Sequence, residues 1–181
     1  MEQALALISI VLGVAITFEL ENLNRLIRSG KVRWHWAQAI YAIWVLMCVI
    51  YYWWMMAAQE GELSIAAFLP IMFTLILLVL MSAVALPDKV PEEGLRLSEY
   101  YMQNRKYQWG LVVFAMLPIS LSWLATLASR GGIFYALTEG WAEWVSILLL
   151  VWMMFADRWW KVGVGYLAIS FIPIAWLSRT L

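Results

Sequence analysis

Glu139 and Glu143 stand four residues apart, the spacing that places two carboxylates on one face of a helix. At the edge of an apolar run, such a pair invites a cation or the guanidinium of Arg130. A second polar group gathers where the first apolar run ends: Glu19, Glu21, Asn22, Asn24 and Arg25, with Gln38 opening the next run and Asp157 and Arg158 as candidates to join them. Carboxylates in or against hydrocarbon are costly and often mark ion or proton routes. The residues read as candidates for an ion or solute route are therefore Glu143, Glu139, Glu19, Glu21 and Gln38, with the hydroxyls of Ser122 and Thr17 along it. Charge pairing at helix ends accounts for much of the same pattern without any transport.

Other chemistries find no footing. The chain has no serine in a glycine-flanked elbow, no histidines paired at metal-ligand spacing, no phosphate-cradling glycine loop and no pair of aspartates within an apolar run. With one histidine and one cysteine, no catalytic residue, metal site or cofactor is expected, and the chain is not read as an enzyme. A lipid-modifying enzyme ranks last for want of a nucleophile or metal motif. His35, flanked by Trp34 and Trp36, reads as a headgroup-level side chain. Cys48 alone excludes an intramolecular disulfide. Twelve basic residues balance twelve acidic ones, so no global field points to nucleic acid.

The elements that must position these residues follow from composition. Hydrophobic residues make up 65% of the chain and charged ones 13%, with a mean hydropathy of +0.79, against about 25% charged in soluble domains. Roughly 20 apolar residues cross a bilayer core of about 30 Å. The expected fold is an all-α, polytopic transmembrane bundle of about six helices. They are expected over 3–28, 34–58, 63–86, 109–129, 138–157 and 160–178, with a short interfacial helix over 91–106. Gly30-Lys31, Glu60-Gly61-Glu62, Pro87-Asp88, Arg130-Gly131-Gly132 and Asp157-Arg158 mark the joints. The N-terminus lacks a basic leader region, so the first run is expected to remain as a helix. The fifth apolar run is the shortest.

Lysine and arginine set the expected orientation. Ten of the twelve fall in the first, third and fifth connections, leaving Arg130 and Arg179 on the other face. Both termini are thus expected on the non-cytoplasmic side of a bacterial inner membrane. Tryptophan and tyrosine clusters, among them Trp34, Trp36, Tyr51 to Trp54, Trp141 and Trp159, fit headgroup-depth anchors. Pro91-Glu92-Glu93 looks like a helix start, with Leu97, Tyr100 and Tyr101 on one side of a surface helix. Membrane lipids are the expected partners, alongside self-association into a homo-oligomer or a membrane-protein partner.

Small-residue stripes suggest packing faces. Ser9, Gly13 and Thr17 recur every four residues, with Glu21 continuing the line, and this face is expected to point into protein. Gly110, Phe114, Pro118, Ser122 and Thr126 form a comparable line, where Pro118 frees the Phe114 carbonyl and predicts a kink or polar pocket. A third line runs through Gly163, Tyr166, Ser170 and Pro173. The third run offers little beyond Thr74 and Ser82, so its helix is expected to face lipid.

The segment from Gly13 to Gly30, the Leu86-Pro87-Asp88 stop, the acidic linker and the run Tyr100 to Arg105 together resemble a group of small, uncharacterised bacterial polytopic inner-membrane proteins. The resemblance implies architecture and a bacterial source, and no catalytic residue. Two functions are expected as alternatives: a small channel or transporter with a polar route through the bundle, or a non-transporting scaffold or accessory subunit that binds a partner, lipid or pigment.

Overall fold

Leucine, isoleucine, alanine and aromatic side chains dominate every apolar run, and each run closes its own backbone hydrogen bonds as a helix, the arrangement hydrocarbon demands. A computed structural model describes residues 2–58 and 65–179, with side chains for 3–58 and 68–171. The order is α1 (Glu2–Ser29), β1 (Val32–Arg33), α2 (Trp36–Ala57), α3 (Ile65–Ala85), β2 (Leu95–Arg96), α4 (Leu97–Glu139), α5 (Trp141–Phe155) and α6 (Trp159–Arg179). The expected Glu60-Gly61-Glu62 joint, the start at Leu63 and the packing of Pro173 lie outside the described residues and side chains. Among the described residues, four helices are long and apolar enough to cross a membrane: Gln3–Ser29, Trp36–Ala57, Phe68–Ala85 and Leu97–Glu139. The 15 residues of α5 span only about 22 Å at 1.5 Å per residue.

The chain divides into two compact units, Met1–Asn104 and Arg105–Leu181. In the first, α1, α2 and α3 pack against one another. The buried face of α1 is Ile8, Leu12, Ala15, Glu19, Asn22 and Leu26, a spacing of alternating threes and fours. Gly13, Thr17 and Glu21 lie on the exposed side and Ser9 between the two. The stripe expected to pack inward therefore turns away from α2 and α3, because Ala15 provides the close approach within the unit. Ser9 does meet α2, accepting a hydrogen bond from Trp53 Nε1 at 3.0 Å. Thr17 donates to Gly13 O of its own helix at 2.9 Å.

The expectation that the third helix faces lipid is corrected. In α3, Thr74, Leu75, Leu78, Met81, Ser82 and Ala85 are buried against its neighbours, while Leu69, Phe73 and Ile76 point outward. Burial between helices gains little from hydrophobicity when lipid is equally apolar; close van der Waals packing carries it. Fully buried Ala15, Ala37 and Ala85 mark that closeness.

A separate interfacial helix over 91–106 is also corrected. Residues 91–96 form a turn and β2, and Leu97 starts a helix that continues through the fourth apolar run. Gly94 makes the turn, with a φ of +96 that disfavours other residues. Its amide donates to Pro91 O at 3.0 Å. β1 and β2 then pair in parallel, Val32 with Leu95 and Arg33 with Arg96.

In the second unit, α4 runs through Pro118 with helical backbone, and its only non-helical residue is Gly132. The expected kink thus falls at the glycine pair, which has no Cβ to hold the helical backbone. Phe114, Ser122 and Thr126 are exposed and Pro118 is half-buried; the buried line is Trp109, Val112, Ala115, Leu124 and Leu127. Trp109 meets Tyr166 of α6 at 5.7 Å between ring centres, tilted 58°. α5 and α6 approach so closely at Gly165 that a Cβ there would overlap the sulfur of Met153 and stand 3.2 Å from the Trp152 ring.

Candidate functional site

α3 ends at Ala85 because Pro87 disfavours helical backbone at Leu86. A helix that stops leaves its last carbonyls without intrahelical donors. Three side chains from three other helices supply them. Tyr100 of α4 donates its hydroxyl to Val84 O at 3.1 Å, Gln38 of α2 donates Nε2 to Ala85 O, and Asn22 of α1 donates Nδ2 to Leu86 O at 3.1 Å. Arg25 donates to Asp88 O and lies 3.4 Å from Asn22 Oδ1. This polar clasp sits at the end of the first unit where α1 and α3 finish and α2 and α4 begin.

One helical turn deeper lies the group that the clasp leaves over. Glu19 is 4% exposed, and Gln38 and Ser82 are fully buried. Ser82 faces the Glu19 carboxyl, with Tyr41 and Cys48 of α2 within electrostatic reach of it. Glu19 Oε2, Gln38 Oε1 and Ser82 Oγ, one oxygen from each of three helices, have no aligned hydrogen-bond partner. Among the described residues, the ion pairs are Arg96–Glu99 and Lys161–Asp157, so no basic side chain neutralises Glu19. Buried polar atoms usually have partners, since leaving one unmatched costs about 1–3 kcal/mol. The Glu19 carboxyl thus lies buried against the Ser82 hydroxyl, and a buried carboxyl without a basic partner suits a positively charged guest.

The other expected route residues are distributed differently. Glu21 is exposed and borders a cavity of about 580 Å³ with Asn24, Arg25, Arg28, Ser29 and Val90. Glu139 closes α4 exposed, whereas Glu143 opens α5 half-buried. Gly140 (φ −87, ψ 15) ends one helix before the next begins, so the two carboxylates do not share one uninterrupted helical face as their spacing suggests. Thr17 and Ser122 are exposed. The structure thus buries both Glu19 and Gln38 and sets against Glu19 the hydroxyl of Ser82, which the sequence offered only as a minor polar residue of its helix. The signal that could have found the clasp is the Leu86-Pro87 stop, which announces carbonyls in need of donors.

Outside the spanning segments, two titratable groups carry local perturbations. Partial burial holds the His35 imidazole below its ordinary value, and its Nδ1 accepts the Ala37 amide at 3.4 Å as the α2 cap. Asp157 is held below the usual carboxylate range chiefly by the hydrogen bond from Lys161, 2.6 Å away.

No family model, curated protein or solved structure matches this chain.

Proposed function

We propose that the protein is a small cation transporter of a bacterial inner membrane, with Glu19 as the group that takes up and releases the cation. The observation that carries this reading is the buried Glu19 carboxyl, which no basic side chain among the described residues neutralises. Its oxygens suit a proton or a hard monovalent cation, since both are held by oxygen rather than by sulfur or imidazole. Six membrane crossings, with both termini outside and the basic connections inside, complete the proposal. The four long apolar helices and the concentration of lysine and arginine in the odd-numbered connections support it.

The test is uptake into proteoliposomes under an imposed gradient of protons, then of sodium and of potassium. Wild-type protein should dissipate one of these gradients, Glu19→Gln should abolish that flux, and Glu21→Gln should leave it intact. Wild-type vesicles as tight as empty ones to all three cations would refute the reading. A non-transporting subunit is the second reading, favoured by the use of Asn22, Tyr100 and the Gln38 amide as structural caps.

A further inference from the structure

The register of the strand pair sets two arginines side by side. Arg33 and Arg96 are direct partners across β1 and β2, and both are exposed while Val32 and Leu95 turn inward. Like charges placed opposite each other destabilise a strand pair. The pairing nevertheless persists, fixed by Leu95 N donating to Lys31 O at 3.0 Å and by Gly94, whose Cβ, if present, would stand 3.0 Å from that same oxygen.

Lys31, Arg33 and Arg96 together border a cavity of about 580 Å³, with Tyr100 and Gln103 adding polar groups. That volume lies within the roughly 300–1,000 Å³ of ligand clefts. Two carboxylates, Glu93 and Glu99, also line it. Glu99 is already engaged by Arg96 at 3.0 Å, and the Lys31 ammonium is turned to the neutral Glu92 carbonyl at 3.2 Å. Among the described residues no carboxylate pairs with Lys31 or Arg33. The cavity lies at helix ends, and the exposed Trp34 and Trp36 follow Arg33 directly, which sets it at headgroup depth.

We propose that this groove binds a phosphate group, presented by the headgroup of an anionic phospholipid. The two guanidiniums offer the planar donor forks that suit phosphate oxygens, and an anion between them removes their mutual repulsion. The site is independent of Glu19 and holds whether or not the protein transports anything.

The experiment uses full-length protein in phosphatidylcholine nanodiscs with increasing phosphatidylglycerol. The thermal midpoint should rise and saturate for wild type. Arg33→Gln, which leaves the Arg96–Glu99 pair in place, should require about tenfold more phosphatidylglycerol for the same rise, as expected for losing a charge-assisted contact. Arg158→Gln, outside the groove, should behave as wild type. An equal response in Arg33→Gln, or no response in wild type, overturns the proposal. Inorganic phosphate or glycerol phosphate reproducing the full effect in pure phosphatidylcholine overturns the lipid source. Native mass spectrometry of wild type needs no variant: preferential retention of phosphatidylglycerol supports the site, and indiscriminate retention contradicts it.

Discussion

Asn22 in α1 donates to the carbonyl of Leu86, 64 residues further along the chain, at 3.1 Å. The bond is buried and ties the ends of two helices that run side by side. Because Pro87 has no amide hydrogen to offer nearby, the Leu86 carbonyl depends on this reach from another helix.

Replacing Asn22 by leucine removes the donor and strands that carbonyl. The expected loss is about 1–3 kcal/mol of stability, read from a reversible unfolding titration in detergent. An unchanged midpoint would show that the carbonyl finds another donor.

Thr17 and Ser122 have no interior role within their units. Thr17→Val and Ser122→Ala should each change stability by less than about 0.5 kcal/mol and leave cation flux at the wild-type rate. Loss of flux in either variant would restore the wider route read from the sequence.

His35 is the sole histidine, so its titration can be followed without overlap. Its imidazole titrates below the ordinary value of about 6.5, and the folded chain therefore favours the neutral ring. The unfolded chain binds the proton first as pH falls, so stability is complete above the ordinary value and declines as the pH drops through and below it. Protonated Nδ1 also cannot accept the Ala37 amide. Midpoints measured between pH 8 and pH 5 should fall for wild type and stay flatter for His35→Gln.

The close approach at Gly165 leaves no room for a side chain. Gly165→Leu should destabilise by about 1–3 kcal/mol through overpacking. Trimming the opposing residue in Gly165→Leu/Met153→Ala should recover part of the loss, a coupling that a double-mutant cycle measures. Additive effects would place the strain elsewhere.

The sequence made the helical class and most joints readable, because hydropathy and breakers act locally: Pro87 stops α3 within two residues of its position. Glu19 and Gln38 were conspicuous for the same reason, as polar residues in apolar runs. Their partners were not. Gln38 finds Ala85 47 residues away, and nothing in the neighbourhood of either residue encodes that pairing. The inward face of α1 was misread because a small-residue stripe reports where a helix could be approached, whereas Ala15 decides where this unit does so. In α3 the clue was slight, since its two sides are almost equally apolar and only the buried Thr74 and Ser82 distinguish the inward one. The start at Pro91 lost to Gly94, whose strand pairing displaced helix nucleation to Leu97.

Pairing Lys31 to Arg33 with residues beyond Gly94 has a consequence for how the chain is made. Synthesis runs from the N-terminus, so the ribosome must deliver some sixty further residues before β1 meets β2 and Tyr100 reaches Val84. Until then α3 enters the bilayer with an unsealed end and Arg33 lacks the strand partner it gains in Arg96. Emergence of the fourth helix is the event that locks the first three, and a nascent chain halted earlier should be the form that quality-control proteases recognise.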